Sequence, residues 1–298
     1  MKVEGFAIAR NVIKDDYPIK EALESIAPLC SRISIAVGHS EDSTRSYLEG
    51  LEHLPLHLVD TQWDDTLREG GRVLAVETDK AKKMVSSDAD WLIYIQADEC
   101  LHEEDYPIIQ SAMAHYKNDE RVDALLLNYK HFYGSFGYVG DSRRWYRKEI
   151  RIIKNKEDIF SWRDAQGFRK RPTEKLRVVE LPANVYHYGW VKHPEQQQIK
   201  QRQFHRLWHS DDVVNKRIGQ SALFDYSQID SIKPYTGTHP ACMNQRLLGM
   251  NWEFQPEIGK KRMGARARFL YAIESWLGWR IGEYKNYIKV ASFDNFTR

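Results

Sequence analysis

An apolar, β-prone segment that ends in two adjacent carboxylates constrains the fold of this chain more than any other feature. Residues 91–99 read Trp-Leu-Ile-Tyr-Ile-Gln-Ala-Asp-Glu, so Asp98 and Glu99 directly follow a predicted strand. Such a strand delivers an acid pair to the edge of a sheet, where a hard divalent ion binds through oxygen ligands and substrate phosphates. The alternative is an acidic turn, in which these acids and residues 103–105 only cap the next helix.

Short apolar runs alternate with helical patterns in the first part of the chain. The predicted strands lie at 6–9, 33–37, 54–59 and 91–95, and the predicted helices follow Pro18 and span 79–85 and 107–116. This alternation is typical of parallel βαβ units, and it predicts an α/β fold with a mostly parallel central sheet. A ligand of such a sheet is expected at the carboxyl ends of the strands.

The second part of the chain changes character twice. Strand-like runs are predicted at 124–129, 149–153, 176–181 and 185–188, and the glycines at 134, 137 and 140 predict a mobile loop among them. Helical patterns are predicted at 196–209, 213–226 and 265–276. We therefore expect a catalytic domain over 1–192 and a helical C-terminal extension over 193–298 that packs on it.

Composition excludes several classes of function. The formal charge of the 298 residues is +2, which gives no overall reason to expect nucleic-acid binding. The three cysteines are odd in number and far apart, so neither a disulfide framework nor a thiolate metal site is indicated, and a reducing cytoplasm fits best. Glu4 interrupts the apolar run at the N-terminus, which therefore predicts a first strand and not a signal peptide.

Four segments fall in a recognisable order along the chain. They are Ala9-Arg10-Asn11, the stretch from Gly38 to Thr44, Gln96-Ala97-Asp98-Glu99, and His187-Tyr188-Gly189-Trp190. As a set they resemble the family 2 glycosyltransferases of the GT-A fold, especially the bacterial members that build lipopolysaccharide and other surface glycans. The resemblance implies a GT-A catalytic domain, followed here by the helical extension.

The resemblance also implies where a nucleotide binds. Ser40, Asp42 and Thr44 match the family's turn after the second strand, while Gly38 stands where that turn has an Asp that usually contacts the base. The residues expected to contact the nucleotide are Ala9, Arg10, Asn11, Gly38, Ser40, Asp42, Thr78, Asp79, Gln96 and Ala97.

A divalent metal is a further implication of the resemblance. Ala97 and Asp98 match the family's Asp-x-Asp motif, but Gln96 replaces its first acid and is left with a hydrogen-bonding role. The implied cofactor is Mn²⁺ or Mg²⁺, with Asp98, Glu99 and His187 as its ligands. For His187 alone, packing at a strand edge is the alternative reading.

Inverting glycosyl transfer requires a general base for the acceptor hydroxyl. Asp164 lies in the segment that resembles the family's catalytic-acid region, and Glu174 is the second candidate. If Arg163 paired with Asp164, it would lower the pKa of that carboxyl. A surface ion pair without catalytic function is the alternative for Asp164.

The expected activity is metal-assisted transfer of a sugar from a nucleotide-sugar donor to a glycan or lipid-linked acceptor of the cell envelope. Two rival functions stay open: a nucleotidyltransferase, although residues 10–13 lack the glycine-rich loop that such enzymes use, and a non-catalytic nucleotide- or sugar-binding module with a decayed metal site. The basic and aromatic stretch 259–279 predicts either peripheral contact with the inner face of the membrane or a helix packed on the catalytic domain.

Overall fold

A computed structural model describes residues 1–67, 69–171, 173–208, 212, 221–258, 262–278 and 280–293. Thirteen strands in these residues form one sheet. The strands are β1 (Val3–Ala9), β2 (Ile33–Gly38), β3 (Leu56–Thr61), β4 (Trp91–Tyr94), β5 (Glu99–Leu101), β6 (Ala124–Tyr133), β7 (Ser135–Gly140), β8 (Lys148–Lys154), β9 (Ile159–Trp162), β10 (Gly167–Lys170), β11 (Glu174–Trp190), β12 (Ile232–Pro234) and β13 (Tyr287–Ser292). The helices are α1 (Ile19–Ile26), α2 (Thr44–Glu49), α3 (Arg72–Lys83), α4 (Tyr106–Tyr116), α5 (Pro194–Arg206), α6 (Asn244–Leu248) and α7 (Ala265–Leu277).

The first half of the sheet is parallel. Its strand order is β3-β2-β1-β4, and each neighbouring pair runs in the same direction. Successive side chains of β1 alternate between two apolar cores, with Ala7 on one face of the sheet and Phe6 on the other. The predicted α/β class is confirmed.

Helices cover both faces of this parallel half. Ala22 of α1, Leu48 of α2 and Ile109 of α4 belong to the core on one face. Ala81 of α3 and Phe168 of β10 belong to the core on the other face. Strands buried on two sides read as nearly continuous apolar runs, which is why the sequence marks them clearly.

The second half of the sheet is mixed. Strand β8 lies antiparallel between β4 and β6, whereas β11 runs parallel to β6. The runs predicted at 176–181 and 185–188 are parts of this single long strand. The predicted mobile loop at the glycines is wrong, because residues 135–140 form β7. Gly140 allows Trp145 to pack on that strand, since a Cβ atom there would lie 2.1 Å from the indole Nε1.

The region after residue 193 is only partly helical. It contains α5, α6 and α7, but β12 pairs with β7, and β13 pairs in parallel with β11. Four of the six residues of β13 are exposed, so this strand lies at the surface beside β11. Most of the helix predicted at 213–226 lies outside the described residues. No helix in the described part of the chain has the length and apolar character to cross a membrane.

Candidate active site

The order of the parallel strands creates a crevice between β1 and β4. The chain leaves β1 towards β2 on one side, and β4 pairs with β1 on the other side. Ligands of open α/β sheets bind where the connections diverge in this way, beyond the carboxyl ends of the strands. A cavity of about 560 Å³ lies there, lined by Asn11 after β1, Asp98 after β4, Asp164 between β9 and β10, and Lys200 of α5.

Two loops support each other behind the cavity. The backbone N–H of Asn11 donates to Oγ of Ser40 at 3.0 Å, and the backbone N–H of Lys14 donates to Oδ2 of Asp42 at 2.7 Å. Asn11 lines the cavity, but Ser40 and Asp42 do not. Their predicted contact with a nucleotide is therefore corrected: they hold the loop that carries Asn11.

An aromatic wall flanks the same loops. Gly38 is close to Trp63, because a Cβ atom at Gly38 would lie 2.3 Å from the indole Nε1. Trp63 and Arg10 line the cavity, with the guanidinium carbon 5.2 Å from the ring centroid and an NH1–Oδ1 distance of 2.7 Å to Asp65. The predictions for Gly38 and Ala9 are corrected, because Gly38 supports Trp63 and Ala9 is buried in the core.

Four residues that line the cavity have a buried side-chain atom without a hydrogen-bond partner in the described part of the chain: Nε of Arg10, Nε1 of Trp63, Nε1 of Trp145 and Oδ1 of Asp15. Burial also raises the pKa of Asp15 to about 6. Because buried polar groups are normally hydrogen-bonded, the cavity has bonding capacity for a polar ligand. Trp63 and Asp15 belong to none of the motifs found in the sequence.

Thr78 and Asp79 lie behind the cavity and not in it. The hydroxyl of Thr78, which is fully buried, lies 3.3 Å from that of Tyr94. The carboxylate of Asp79 accepts a hydrogen bond of 2.7 Å from the backbone N–H of Ser161. Helix α3 instead lines the cavity with residues 73–74 near its first turn. The predicted nucleotide contacts of Thr78 and Asp79 are therefore wrong.

The two adjacent acids after β4 have different environments. Both oxygens of Glu99 accept hydrogen bonds of 2.7 Å from Arg151, and both side chains are fully buried. Tyr129 donates a short hydrogen bond to the same carboxylate. The prediction that Glu99 binds a metal is therefore wrong. Gln96 lines the cavity beside Ala97 and donates to the carbonyl of Ala165 at 3.1 Å, which ties β4 to the hairpin that carries Asp164.

Asp98 lies between a lysine and a histidine. Its Oδ2 accepts a hydrogen bond of 2.9 Å from Nζ of Lys200 and lies 3.7 Å from Nε2 of His187. Burial alone would raise the pKa of Asp98, but Lys200 and His187 outweigh it, so this pKa lies well below its usual range. Gly189 is required here, because a Cβ atom would lie 2.5 Å from Oδ2 of Asp98.

Hydrogen bonding fixes the tautomer of His187. Nε2 of His131 lies 2.9 Å from the carbonyl oxygen of Tyr146, which can only accept, so this nitrogen carries the proton. Burial lowers the pKa of His131 well below its usual value, so its Nδ1 is an acceptor. Nδ1 of His187, 3.2 Å away, must then donate to it. Burial also lowers the pKa of His187, whose Nε2 faces Asp98.

The donor set at Asp98 does not fit a divalent ion. No group of three His, Cys, Asp or Glu side chains converges within the described ranges. With Glu99 paired to Arg151, only Asp98 and His187 are left of the predicted ligands. Oδ2 of Asp98, the oxygen nearest His187, already bonds to Lys200, so an ion bound there would adjoin a fixed positive charge. The predicted ligand set is not assembled, and Mn²⁺ or Mg²⁺ stays a prediction from the resemblance.

Asp164 faces the cavity from the turn between β9 and β10. The close approach of this turn to α3 requires Gly71, which has a φ of 70° and whose added Cβ atom would lie 2.9 Å from that of Asp164. Burial raises the pKa of Asp164 and outweighs Arg163, which acts in the opposite direction. Arg163 therefore acts on this pKa in the predicted direction, but burial has the larger effect.

Glu174, the second candidate base, is exposed at the start of β11 opposite Lys170 and does not line the cavity. That prediction is corrected.

A second cavity of about 390 Å³ lies beside the first and shares Asp164 and Arg144 with it. Trp162 is among the residues that line only the second cavity. Asp164 therefore borders both spaces.

Comparison with known proteins finds distant structural similarity only. No family model and no curated protein matches the chain. S. aureus TarS 1–349 in complex with UDP is 12% identical with a TM-score of 0.39, over 72% of this chain and 69% of that one. The longer S. aureus TarS chain is 16% identical with a TM-score of 0.38, over 68% of this chain, which spans 39% of TarS.

A third structure is more distant. The glucosyl-3-phosphoglycerate synthase from Mycobacterium tuberculosis, in complex with Mn²⁺, UDP-glucose and phosphoglyceric acid, is 15% identical with a TM-score of 0.28, over 44% of this chain and 43% of that one. At these identities and TM-scores, the similarity does not assign a function to this chain. The function has to be argued from the cavity itself.

Proposed function

We propose that this chain is an inverting glycosyltransferase of the GT-A type, which moves a sugar from a nucleoside diphosphate sugar to a hydroxyl group of a surface glycan or lipid-linked acceptor. One observation carries the proposal: Asp98 and Asp164, from different elements, line one cavity at the crevice between β1 and β4. Glycosyl transfer requires a cation near the leaving diphosphate, which Asp98 is placed to hold, and one base near the acceptor. The two carboxylates occupy environments suited to these two tasks.

The nucleoside is proposed to bind against Trp63 and Arg10. A flat indole stacks on a base of any identity, and the guanidinium of Arg10, which lines the cavity beside it, has donors for base or ribose oxygens. Lys200 lines another part of the same cavity, where the diphosphate is proposed to bind. The donor sugar then lies towards Asp164.

In the transfer, the acceptor oxygen forms a bond to the anomeric carbon while the bond from that carbon to the diphosphate oxygen breaks. The electron pair of the broken bond leaves with the nucleoside diphosphate, and the hydroxyl proton passes to the carboxylate of Asp164. Burial raises the pKa of Asp164, so its ionised form is a stronger base than an exposed aspartate. Attack on the face opposite the leaving group inverts the configuration.

The acceptor is proposed to enter through the second cavity, because that space reaches Asp164 without passing the proposed nucleoside site at Trp63 and Arg10. Its lining includes the aromatic rings of Trp162 and Tyr284 and the guanidinium groups of Arg147 and Arg163. Aromatic faces with a few polar groups are typical of sites for small organic ligands, and guanidinium groups bind acidic substituents. This composition suits a glycan with hydroxyl or acidic groups.

The test of this function is a panel of UDP-, GDP-, ADP- and dTDP-linked sugars, measured by calorimetric binding and by release of nucleoside diphosphate. Every donor is assayed both with Mn²⁺ and with EDTA, so that the result does not depend on a metal. At least one nucleotide class should bind and be turned over. If none binds or is turned over under either condition, the proposed function is wrong.

We further propose that α7 makes the peripheral membrane contact predicted for 259–279, of which 259–261 and 279 lie outside the described residues. Phe269 and Trp276, seven residues apart on one helix face, are 66% and 85% exposed. Tyr271, on another face, donates to Asp141 at 2.6 Å and holds the helix on the domain. The wild-type protein should sediment with vesicles containing anionic phosphatidylglycerol, and Trp276→Ser should sediment less. Equal sedimentation of both proteins would contradict this role.

A further inference from the structure

The ammonium group of Lys200 lies beside Asp98, where the family resemblance places a divalent ion. We propose that Lys200 binds the diphosphate of the donor and stabilises the charge of the leaving group, so that transfer proceeds without a divalent metal. This inference rests on the proposed function and specifies the cation that the function requires. The experiments below separate its failure from the failure of the proposed function.

The position of Lys200 is fixed by two acceptors. Its Nζ donates to Oδ2 of Asp98 and to the carbonyl oxygen of Gly189, both at 2.9 Å. The side chain is buried, but it lines the cavity. An ammonium group has three N–H donors, so one is left for a ligand in the cavity. A lysine held in this way is already placed for an anion, because little side-chain freedom is lost when the anion binds.

The surroundings of Asp98 require a cation. Oδ2 of Asp98 is buried and lies 3.7 Å from Nε2 of His187. A buried carboxylate is costly unless a positive group lies close to it. Lys200 is that positive group in this structure. Glu99 is held by Arg151, and the described residues contain no group of three His, Cys, Asp or Glu side chains that could hold a divalent ion in its place.

A second lysine, Lys192, lies near Lys200. The ammonium groups of Lys200 and Lys192 lie 4.6 and 5.0 Å from the centroid of the Tyr17 ring. Nζ of Lys192 donates to the backbone carbonyl of Asp16, so it is held behind the cavity and does not line it. Of these two lysines, Lys200 is therefore the one expected to touch the ligand.

The chemical role follows from the charge that develops in the reaction. As the bond between the anomeric carbon and the diphosphate oxygen breaks, the electron pair stays on that oxygen. The remaining N–H of Lys200 donates to a diphosphate oxygen and stabilises the growing negative charge, while its proton stays on nitrogen. Asp98 is then a positioning residue, which holds the ammonium in place.

The first experiment uses the wild-type protein. UDP, GDP, ADP and CDP are the probes, titrated calorimetrically after EDTA treatment and again with Mn²⁺. We expect at least one of them to bind with a Kd that differs by less than about threefold between the two conditions. Binding only with Mn²⁺ would overturn the role of Lys200 and leave the proposed function standing. Binding of no probe under either condition would instead contradict the proposed function.

The second experiment changes Lys200. Lys200→Met should weaken binding of the diphosphate by about 10- to 100-fold in EDTA, because a charge-assisted hydrogen bond is lost. Lys200→Arg, which keeps the charge, should retain most of the affinity. Lys117→Met is the matched control, since Lys117 forms a similar ion pair of 3.0 Å with Asp90 but does not line the cavity.

Removing Lys200 leaves Asp98 as an unpaired buried charge, which can destabilise the fold. The double variant Lys200→Met/Asp98→Asn removes both charges and is measured alongside, with thermal unfolding as the check that it folds. The double variant should also bind the diphosphate weakly in EDTA. Affinity equal to the wild type in either folded variant would overturn the proposal.

Discussion

The two sides of the cavity treat a carboxylate in opposite ways. On the α5 side, burial would raise the pKa of Asp98, but Lys200 at 2.9 Å outweighs it and lowers that pKa. On the hairpin side, burial dominates and raises the pKa of Asp164, and it raises the pKa of Glu149 to about 7. Environments that separate the pKa values of neighbouring acids are how one site assigns them different tasks.

The two sides differ in whether a cation binds their carboxylates directly. The cation of the first side comes from a helix that follows Asp98 by about a hundred residues, and it binds one carboxylate directly. The second side has the guanidinium of Arg151 near Glu149, but Arg151 is bonded to Glu99. The acids of the hairpin side therefore keep a higher proton affinity. Four predictions test this contrast.

The largest effect is expected from Asp164→Asn. A base that acts only in the chemical step leaves donor binding intact, so turnover should fall by about 10²-fold or more with little change in donor affinity. Activity of the wild-type protein should also fall as pH drops through the raised pKa of Asp164, because a protonated carboxyl cannot accept the acceptor's proton. Steady-state kinetics and calorimetric donor binding measure the two quantities separately.

Glu174→Gln is the control for that experiment, since it removes a carboxylate that lies outside both cavities. It should keep wild-type turnover. Near wild-type turnover in Asp164→Asn would show that Asp164 is not the general base. The different pKa values of Asp98 and Asp164 would then have no role in catalysis.

The second prediction concerns the stability of the hairpin side. Glu149 is 3% exposed, and burial raises its pKa from the ordinary glutamate value of 4.5 to about 7. Between these two values the folded protein holds a proton that the unfolded chain releases, so stability falls as pH rises and the full cost is reached above about pH 7. Glu149→Gln should match the wild type near pH 5 and exceed its stability at pH 8 by up to about 3 kcal/mol.

Urea unfolding at both pH values measures this difference. The matched control is Glu157→Gln, because Glu157 is exposed just after the end of β8, the strand that carries Glu149. Its stability relative to the wild type should be the same at pH 5 and pH 8. A Glu149→Gln protein that gains nothing at pH 8 would show that burial does not govern the hairpin side.

The third prediction concerns Trp63, on which the base of the nucleotide is proposed to stack. Trp63→Leu should weaken nucleotide binding by about tenfold, because stacking of a base on an aromatic ring contributes roughly 1–3 kcal/mol. Trp162→Leu, in the second cavity, should leave nucleotide affinity unchanged and raise the KM for the acceptor. Calorimetric titration with a nucleotide that the wild type binds measures the affinity of the two variants. Equal losses of nucleotide affinity in both would mean that the two cavities do not separate donor from acceptor.

The parallel half of the fold could be predicted from the sequence because its strands are buried on both faces. Continuous apolar runs such as 91–95 identify such strands without knowledge of their partners. The strand ends also marked Asn11 and Asp98, which line the cavity, whereas Asp164 was found only through the family resemblance. The positions of Asn11 and Asp98 follow from local pattern and from the rule that ligands bind beyond the carboxyl ends of parallel strands.

The rest depended on contacts between distant residues. Asp98 and Glu99 are neighbours in sequence, yet β5 pairs with β11 and Glu99 lies against Arg151 while Asp98 faces the cavity. Lys200 lies on a helix rich in polar residues, where a lysine is normally exposed, and only the packing of α5 brings it to Asp98. Sequence patterns identify residue types, but they do not decide which of two adjacent acids receives which cation.

The smallest effect is expected from Thr78→Val, which tests the boundary between the two sides. The resemblance placed Thr78 against the nucleotide, whereas the structure places its hydroxyl 3.3 Å from that of Tyr94, whose ring lines the cavity. Removing a hydroxyl behind this ring should change nucleotide affinity by less than about twofold and lower the free energy of unfolding by about 1 kcal/mol. A tenfold loss of affinity with unchanged stability would mean that Thr78 contacts the nucleotide, and that α3 belongs to the binding wall and not to its support.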